Sequence, residues 1–428
     1  MDQGNTAFLL IAAALVLLMT PGLAFFYGGL VKAKSVISMM MMSFGAMGLI
    51  GLLWVLYGYA IAFGNGPDGA AGNPRFVGID GVLGIDLGQL GLGDAYTAAL
   101  GDQTSAYPTL AFAAFQATFA IITVALISGA IADRAKFGAW MVFAGVWATV
   151  VYFPVASWVF NFTLADGATV DGGWIAYNVG AIDFAGGTAV HINAGAAALA
   201  LSLVLGKRVG FAKGMHVPHN PPFVLLGAGL LWFGWFGFNA GSELAADGIA
   251  AIAFLNTIAA PAAAILGWLV VEKIRDGKPT SVGAASGAVA GLVAITPACA
   301  ALSPIWAIVL GLVAGAVCAV AIELKFKLGF DDSLDVVGIH LIGGLIGTLY
   351  IGLFATKVGL IYSGSLEQLG KQALAAGAVL VYSFVLSYVI GTIIQKTMGF
   401  RVKNEDEIAG IDTIVHGEEG YVLETSGR

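Results

Sequence analysis

Residues 304–322, PIWAIVLGLVAGAVCAVAI, form an apolar run that contains no charged side chain. An α-helix needs about 20 such residues to cross the hydrocarbon core of a bilayer. Runs of similar length and composition recur along the chain, and we place them at 6–30, 36–63, 108–131, 138–160, 184–205, 222–241, 249–271, 281–300, 304–322, 334–354 and 374–398. The sequence therefore predicts an all-α integral membrane protein with eleven transmembrane helices.

The overall composition excludes most soluble proteins. Hydrophobic residues make up 59% of the chain and charged residues 11%, whereas soluble domains usually carry about 25% charged residues. No large basic patch occurs, so we expect no nucleic-acid partner. The two cysteines, Cys299 and Cys318, indicate neither a disulfide framework nor a metal site. We expect no cofactor and no metal ion, and we expect lipid around the helices.

The distribution of lysine and arginine predicts the orientation in the membrane. With eleven spans, 16 of the 19 basic residues fall on one side, and only Arg75, Lys357 and Lys371 fall on the other. Cytoplasmic loops are enriched in lysine and arginine, so the N-terminus is predicted outside a cell membrane (plasma or inner) and the C-terminus in the cytoplasm. No positive residue precedes the first run, and we expect it to be retained as helix one. Residues 1–398 then form the membrane domain and 399–428 a cytoplasmic tail.

Helices 1–5 and 6–10 are predicted to form an inverted pseudo-twofold repeat. Predicted helix five begins near Asp183 and carries His191, while predicted helix ten begins near Asp335 and carries His340. The topology places Asp183 on the outer side and Asp335 on the inner side, as an inverted pair requires. Repeats of this kind form their substrate site near the middle of the membrane, between the two halves.

Two of the five histidines, His191 and His340, fall inside predicted spans. Ionisable residues in such positions usually have a function. At about 1.5 Å per residue, His191 lies roughly 12 Å below Asp183 and His340 roughly 7.5 Å above Asp335. We therefore expect the two imidazoles to meet beside a pore and share a proton. The alternative is two unrelated buried histidines, each bonded to backbone carbonyls.

Asp183 and Asp335 each precede a glycine-containing turn at a predicted helix start. A carboxylate there can accept backbone N–H groups and is favoured by the positive end of the helix. We interpret Asp335 as a helix cap. Asp183 has two interpretations, because it can cap its helix and its negative charge can also lower the cost of a nearby cation.

Aromatic residues gather in the outer halves of predicted helices three, four and six: Phe115, Phe119, Trp158, Phe160, Trp235 and Phe238. Interface anchoring is the alternative for each of them. A cage of aromatic rings attracts a desolvated cation by about 2 kcal/mol or more, whereas moving a charge to the bilayer centre costs from about 3 to more than 10 kcal/mol. A cation that can lose its proton avoids the larger cost. These parts are consistent with ammonium but do not by themselves identify it.

Several segments resemble signature segments of the ammonium transporter (Amt/Rh) family. They are PGLAFFYGG at 21–29, DFAGGTAVH at 183–191, GWFGFNAGS at 234–242, ITPAC at 295–299 and DVVGIH at 335–340. The resemblance runs from the first helix to the tail. It implies a homotrimer with one pore per subunit, which conducts ammonium or ammonia, with or without a separately moved proton.

The resemblance also implies a set of pore and outer-site residues: Phe119, Phe160, Asp183, His191, Trp235, Phe238, Ser242, Thr296 and His340. In this set Phe119 and Phe238 would form a stacked gate, and His191 and His340 would form the twin-histidine pair. Phe160 departs from the family, which has tryptophan at this outer-site position. Because indole offers the stronger cation–π face, Phe160 should bind a cation more weakly, unless Trp158 compensates.

Two further expectations concern the tail and the class of protein. Residues 410–421, GIDTIVHGEEGY, resemble the family's cytoplasmic tail, which implies control by PII-type nitrogen-signalling proteins. A membrane sensor that reports ammonium through the tail is one alternative, but no output domain follows helix eleven. A membrane enzyme is the other, but the sequence contains no nucleophile motif, metal-ligand spacing or phosphate loop. We therefore expect a transporter without enzymatic activity.

Overall fold

The computed structural model describes residues 1–64, 76–79, 82–101, 106–161, 172–211 and 217–421. Arg75 and the end of the predicted tail, 422–428, lie outside the described residues. Eleven apolar helices organise the described chain. In chain order, α1–α11 are Gln3–Leu30, Ala33–Ala62, Thr109–Ile131, Phe137–Phe160, Gly187–Leu205, Pro221–Gly241, Gly248–Arg275, Ser281–Ile295, Pro304–Leu328, Val337–Phe354 and Glu367–Thr397.

Ten of these helices are long and apolar enough to cross a membrane, counted over the described residues. The exception is α8, which has 15 residues and continues into turns up to residue 301. The predicted class, a helical integral membrane protein, is confirmed. The count of eleven crossings and the inverted repeat stay predictions. The only strands in the described part of the chain form an antiparallel hairpin between α2 and α3, with β1 at Phe76–Ile79 and β2 at Leu83–Asp86.

Small residues allow the long helices to approach one another closely. A Cβ atom added to Gly311 or Gly315 of α9 would lie 2.1 Å from the carbonyl oxygen of Ala260 or Ala264 of α7. A Cβ atom on Gly227 of α6 would lie 2.2 Å from the backbone nitrogen of Phe26 in α1. Close backbone packing of this type holds helices together where lipid removes the hydrophobic drive. These three glycines are therefore required by close helix contacts.

Following the predicted orientation, we call the side of the N-terminus the outer side and the side of the tail the inner side. Short helices lie between the long ones and in the tail: Gly93–Leu100, Leu360–Ser363 and Asn404–Ala409. The described tail packs against the inner loops. The carboxylate of Asp412 accepts backbone N–H groups of Ile37 at 3.0 Å and Ser38 at 2.7 Å, and so caps the start of α2.

Candidate pore and outer binding site

The start of α5 is organised by one carboxylate. Asp183 accepts the backbone N–H groups of Gly186, Gly187 and Thr188 at 2.8, 2.6 and 2.7 Å, and also the Thr188 hydroxyl. The first residues of α5, Gly187–Ile192, form a π-helical turn that carries His191. A π-helical turn is uncommon and is frequent at functional sites. Asp183 therefore caps α5, as one of its two interpretations expects.

The start of α10 has a similar arrangement, but the cap is Asp332. Its carboxylate accepts the backbone N–H groups of Val336 at 3.1 Å and Val337 at 2.7 Å. Burial raises the pKa of the Asp332 carboxyl, and the nearby Lys325 ammonium opposes the rise. The π-helical turn that follows, Val337–Leu341, carries His340.

The prediction that Asp335 caps this helix is therefore wrong. Asp335 has a left-handed backbone with φ of 63°, and its carboxylate pairs with the Lys325 ammonium at 2.5 Å. Its carboxylate is bonded to Lys325, and the N–H groups of Val336 and Val337 are already bonded to Asp332. The spacing of the residues contains the missed signal, because Asp183 precedes His191 by eight residues and Asp332 precedes His340 by eight.

The two imidazoles meet in the interior of the helix bundle. Nδ1 of His191 lies 3.2 Å from Nδ1 of His340, and the ring centroids are 5.3 Å apart with an interplanar angle of 25°. Both side chains are buried. A hydrogen bond at this distance needs one ring as donor and the other as acceptor, so a single proton lies between them. The alternative of two unrelated histidines does not match this geometry.

A small cavity of about 10 Å³ lies beside the histidines, which is room for about one molecule of the size of water. Apart from the two histidines, it is lined by apolar and aromatic side chains: Met19, Leu23, Phe26, Ile122, Leu126, Val190, Leu231, Trp235, Phe238 and Val289. Nε2 of His191 is buried and has no hydrogen-bond partner among the described residues. This nitrogen is therefore free to bond a small polar solute.

Three phenylalanine rings lie on the outer side of this cavity. Phe119 of α3 and Phe238 of α6 are stacked, with centroids 4.1 Å apart and an interplanar angle of 17°. Phe160 and Phe119 pack edge to face, with ring centroids 6.0 Å apart and an interplanar angle of 80°. Phe238 in turn lies 6.2 Å from the ring of His191. The stacked pair therefore separates the histidines from the outer end of the bundle.

A larger cavity of about 410 Å³ opens on the inner side. Charged groups line its walls, including the Lys325–Asp335 pair and Glu272, and its lining includes Ile339, the residue before His340. The described residues thus place a histidine pair in apolar surroundings between the stacked rings and an inner cavity whose lining includes charged groups.

The sequence profile of the Ammonium Transporter Family matches residues 7–421. The chain belongs to the ammonium transporter family. The ammonium transporter of Mycobacterium tuberculosis (strain ATCC 25618 / H37Rv) is 55% identical over 442 residues, which cover 98% of this chain and 90% of the relative. The ammonium transporter of Bacillus subtilis (strain 168) is 45% identical over 430 residues, with 98% and 99% covered.

Solved structures of the family share this fold. Saccharomyces cerevisiae Mep2 has a TM-score of 0.82 at 32% identity, over 94% of this chain and 91% of that one. A protein named Sensor Amt Protein has a TM-score of 0.86 at 28% identity, over 96% and 98%. Family membership makes this protein a membrane transporter of ammonium rather than an enzyme.

The ammonium transporter fold brings most of the predicted site residues together. Trp235 stacks on His191 with centroids 5.6 Å apart and donates its indole N–H to the Thr296 hydroxyl at 2.8 Å. Ser242 lies one turn beyond Phe238, and its hydroxyl donates to the Phe238 carbonyl at 2.8 Å. Trp235 therefore lines the cavity beside the histidines, Thr296 holds its indole, and Ser242 lies at the outer end of the site.

Trp158 does not join the three phenylalanine rings. Its indole N–H donates to the carbonyl of Val82, the residue before β2. Its ring packs on Trp174 and on Tyr382, with centroids 5.7 Å and 4.7 Å apart. These contacts direct it toward the outer loop and α11. Trp158 therefore does not occupy the position beside Phe119 that Phe160 occupies.

Proposed function

We propose that this transporter recruits ammonium at an outer site formed by Phe119, Phe160, Phe238 and Ser242, removes one proton there, and conducts ammonia past His191 and His340. The observation that carries the proposal is the histidine pair at 3.2 Å, enclosed in an apolar cavity directly behind the stacked phenylalanines. The cavity has room for about one small molecule and offers no carboxylate.

Energetics favour a neutral species in this cavity. Moving a charge to the membrane centre costs from about 3 to more than 10 kcal/mol, and the nearby rings attract a cation by about 2 kcal/mol. Ammonia avoids this cost because it carries no charge. It can also donate a hydrogen bond to one imidazole nitrogen and accept one from another. The free Nε2 of His191 supports this role for the pair. The removed proton either returns to the outer side or crosses by a separate path.

Asp183 supports the outer site from a distance. Its oxygen atoms are occupied by the N–H groups at the start of α5, so direct contact with ammonium is not its main interaction. We propose that its negative charge lowers the free energy of a cation at the aromatic site, while its hydrogen bonds fix the turn that carries His191.

We also propose the assembly and partners that the family resemblance implies. These are a homotrimer with one pore per subunit, a cell-membrane location with the N-terminus outside, and a PII-type protein that binds the inner face. The boundary between the membrane domain, 1–398, and the tail is part of the same proposal. The contacts of Asp412 with the start of α2 support a tail that communicates with the helices.

Ammonium sensing is the second candidate function. It is favoured by one observation, the likeness in fold to the protein named Sensor Amt Protein, with a TM-score of 0.86. An uptake experiment with purified protein distinguishes transport from sensing, because a protein that only senses ammonium moves no substrate.

The test of the proposed function uses purified protein in lipid vesicles. We expect uptake of labelled methylammonium that excess ammonium inhibits and excess potassium does not, with protein-free vesicles as the control. Uptake no faster than in the control would refute transport and favour sensing. Competition by potassium as strong as by ammonium would refute the deprotonation step, because potassium has no proton to lose. Currents recorded on a solid-supported membrane then show whether the proton crosses as well.

Phe160→Trp is expected to lower the KM for external ammonium about two- to fivefold, since an indole face adds about 0.5–1 kcal/mol of cation attraction. The measurement is methylammonium uptake, with ammonium as competitor, in cells without other ammonium transporters. Trp158→Phe is the matched control and should leave the KM unchanged, because Trp158 packs on Trp174 and Tyr382. An unchanged KM in Phe160→Trp argues against a direct contact with the cation.

Phe238→Ala is expected to weaken the discrimination between ammonium and potassium, because it removes one ring of the stacked pair that closes the cavity. Ion currents from vesicles measure this change. Phe236→Ala is the matched control, since Phe236 lies in the same helix and stacks on Phe254 at 4.2 Å, away from the site. If Phe238→Ala and Phe236→Ala discriminated equally well between ammonium and potassium, the stacked pair would not act as a gate.

A further inference from the structure

The backbone before α5 is not helical and needs partners of its own. Asp183 and its neighbours from 180 to 186 connect a π-helical turn, Ile175–Val179, with the start of α5. Backbone N–H and C=O groups at membrane depth are costly unless protein groups satisfy them. The question is therefore which groups satisfy this segment.

One glutamine of α11 satisfies both backbone groups of Ile182. Oε1 of Gln372 accepts the backbone N–H of Ile182 at 2.7 Å, and Nε2 of Gln372 donates to the carbonyl of the same residue at 2.7 Å. Nε2 also donates to the Thr348 carbonyl of α10 at 3.1 Å. The side-chain amide thus pairs with Ile182 as a neighbouring strand would.

A second glutamine completes the arrangement. Nε2 of Gln368 donates to Oε1 of Gln372 at 3.0 Å and to the Gly180 carbonyl at 3.2 Å. Gln372 is fully buried, and its two donors and two acceptor positions are all used. Its amide orientation is fixed, because the opposite orientation would direct its NH₂ group at the N–H of Ile182.

These bonds connect Asp183 to the rest of the protein. The hydrogen bonds of the Asp183 carboxylate all go to the start of its own helix, so they do not fix the position of that helix within the bundle. Besides Gln372, the N–H of Phe184 donates to the Pro297 carbonyl at 3.1 Å. Ile182 and Phe184 flank Asp183, so α11 holds one neighbour and the segment after α8 holds the other.

We propose that Gln372 is a positioning residue for ammonium recruitment, which sets the depth and direction of Asp183 relative to the outer aromatic rings. The inference rests on the proposed outer site and adds a helix, α11, that contributes no residue to the cavity beside the histidines. Loss of the amide leaves the N–H and C=O of Ile182 and the Thr348 carbonyl without their partner. The expected effect is a KM for external ammonium raised about tenfold, because the displaced segment no longer holds Asp183 at its place near the outer rings.

Two substitutions separate positioning from general packing. Gln372→Met keeps a long side chain and removes the hydrogen bonds. Gln372→Glu keeps the shape, but its ionised form has no donor, whereas its protonated form has one O–H donor and one carbonyl acceptor. Burial raises the pKa of such a carboxyl, so lowering the external pH restores the two bonds with Ile182. Ser383→Ala is the control, because Ser383 is buried in the same helix and bonds only the Asn193 carbonyl at 2.7 Å.

The experiment measures the KM and maximal rate of methylammonium uptake in cells at external pH 5.5 and 7.5, always as a ratio to the unsubstituted protein. We expect the KM ratio of Gln372→Met to be about ten at both pH values, that of Gln372→Glu to fall toward one at pH 5.5, and that of Ser383→Ala to stay at one. A KM ratio of one in Gln372→Met, or no recovery of Gln372→Glu in acid, overturns the proposal. If Gln372→Met does not fold, the fall in the KM ratio of Gln372→Glu at pH 5.5 tests the proposal alone. Absence of ammonium-sensitive uptake in the unsubstituted protein would instead contradict the proposed function.

Discussion

Replacing Asp183 by asparagine is expected to reduce methylammonium uptake to background, a loss of at least about 100-fold. The carboxylate accepts N–H groups of Gly186, Gly187 and Thr188 with two oxygens, whereas asparagine has one oxygen and directs an NH₂ group at a backbone donor. Hydrogen bonds to a charged group contribute about 1.5–3 kcal/mol each. The loss of two such bonds, together with the negative charge beside the cation site, accounts for the expected factor.

Asp332→Asn is the matched control for this prediction. It changes an equivalent cap at the inner end of α10, far from the outer rings. We expect it to lower the maximal rate and to leave the KM for external ammonium unchanged. Asp183→Glu keeps the negative charge but changes the position of the carboxylate. It should retain more methylammonium uptake than Asp183→Asn. Uptake at the unsubstituted level in Asp183→Asn would show that neither the charge nor the full cap is needed.

Hydropathy predicts the helices well where lipid or apolar neighbours surround them, and fails where polar residues extend a helix. The eleventh helix is predicted at 374–398 but begins at Glu367. Its first two turns contain Gln368 and Gln372, which a hydropathy pattern reads as loop and which instead bond the segment before α5. The eighth helix is predicted at 281–300 but ends at Ile295, because Pro297 follows and the chain turns. Polar contacts inside the bundle decide the first of these boundaries, and a proline decides the second.

The predicted spans identified the two histidines, but the presence of an acid before a helix start did not distinguish Asp332 from Asp335; only the eight-residue spacing to the histidine does. Asp332 and Asp335 both precede the same helix, and local preferences allow either as the cap. The choice depends on Lys325, a residue of the preceding helix, which binds the Asp335 carboxylate and the Asp332 carbonyl. Lys325 lies only ten residues before Asp335, but it belongs to another helix, and a capping pattern does not include such a contact.

The aromatic site shows the same limit. Phe119 and Phe238 lie in different helices, and nothing in their spacing shows that the rings stack at 4.1 Å. Their pairing came from the family resemblance. The sequence also left open whether Trp158 compensates for Phe160. In the structure the Trp158 indole donates to the carbonyl of Val82, in the loop outside the helices. Side-chain direction at the end of a helix depends on the loop that covers it.

Replacing either pore histidine by alanine is expected to abolish ammonium-driven current, with at least about a tenfold loss, while the protein still assembles. His191 and His340 share one hydrogen bond at 3.2 Å, so removing one ring leaves the other nitrogen buried without its partner and opens a space beside it. Residues that act as a unit have non-additive effects. The double variant should therefore lose little more current than either single variant.

His219→Ala is the matched control, because it also removes an imidazole but lies outside the long helices, where His219 bonds the Val31 carbonyl and the Tyr421 hydroxyl. It should keep nearly full current. The proton shared by the pore pair explains why the single and double variants converge: a proton position needs two nitrogens, and one remaining ring cannot supply it. Unchanged methylammonium uptake and unchanged current in both single variants would show that the histidine pair takes no part in transport, although its two Nδ1 atoms lie 3.2 Å apart. Additive losses in the double variant would show instead that each ring contacts the substrate independently.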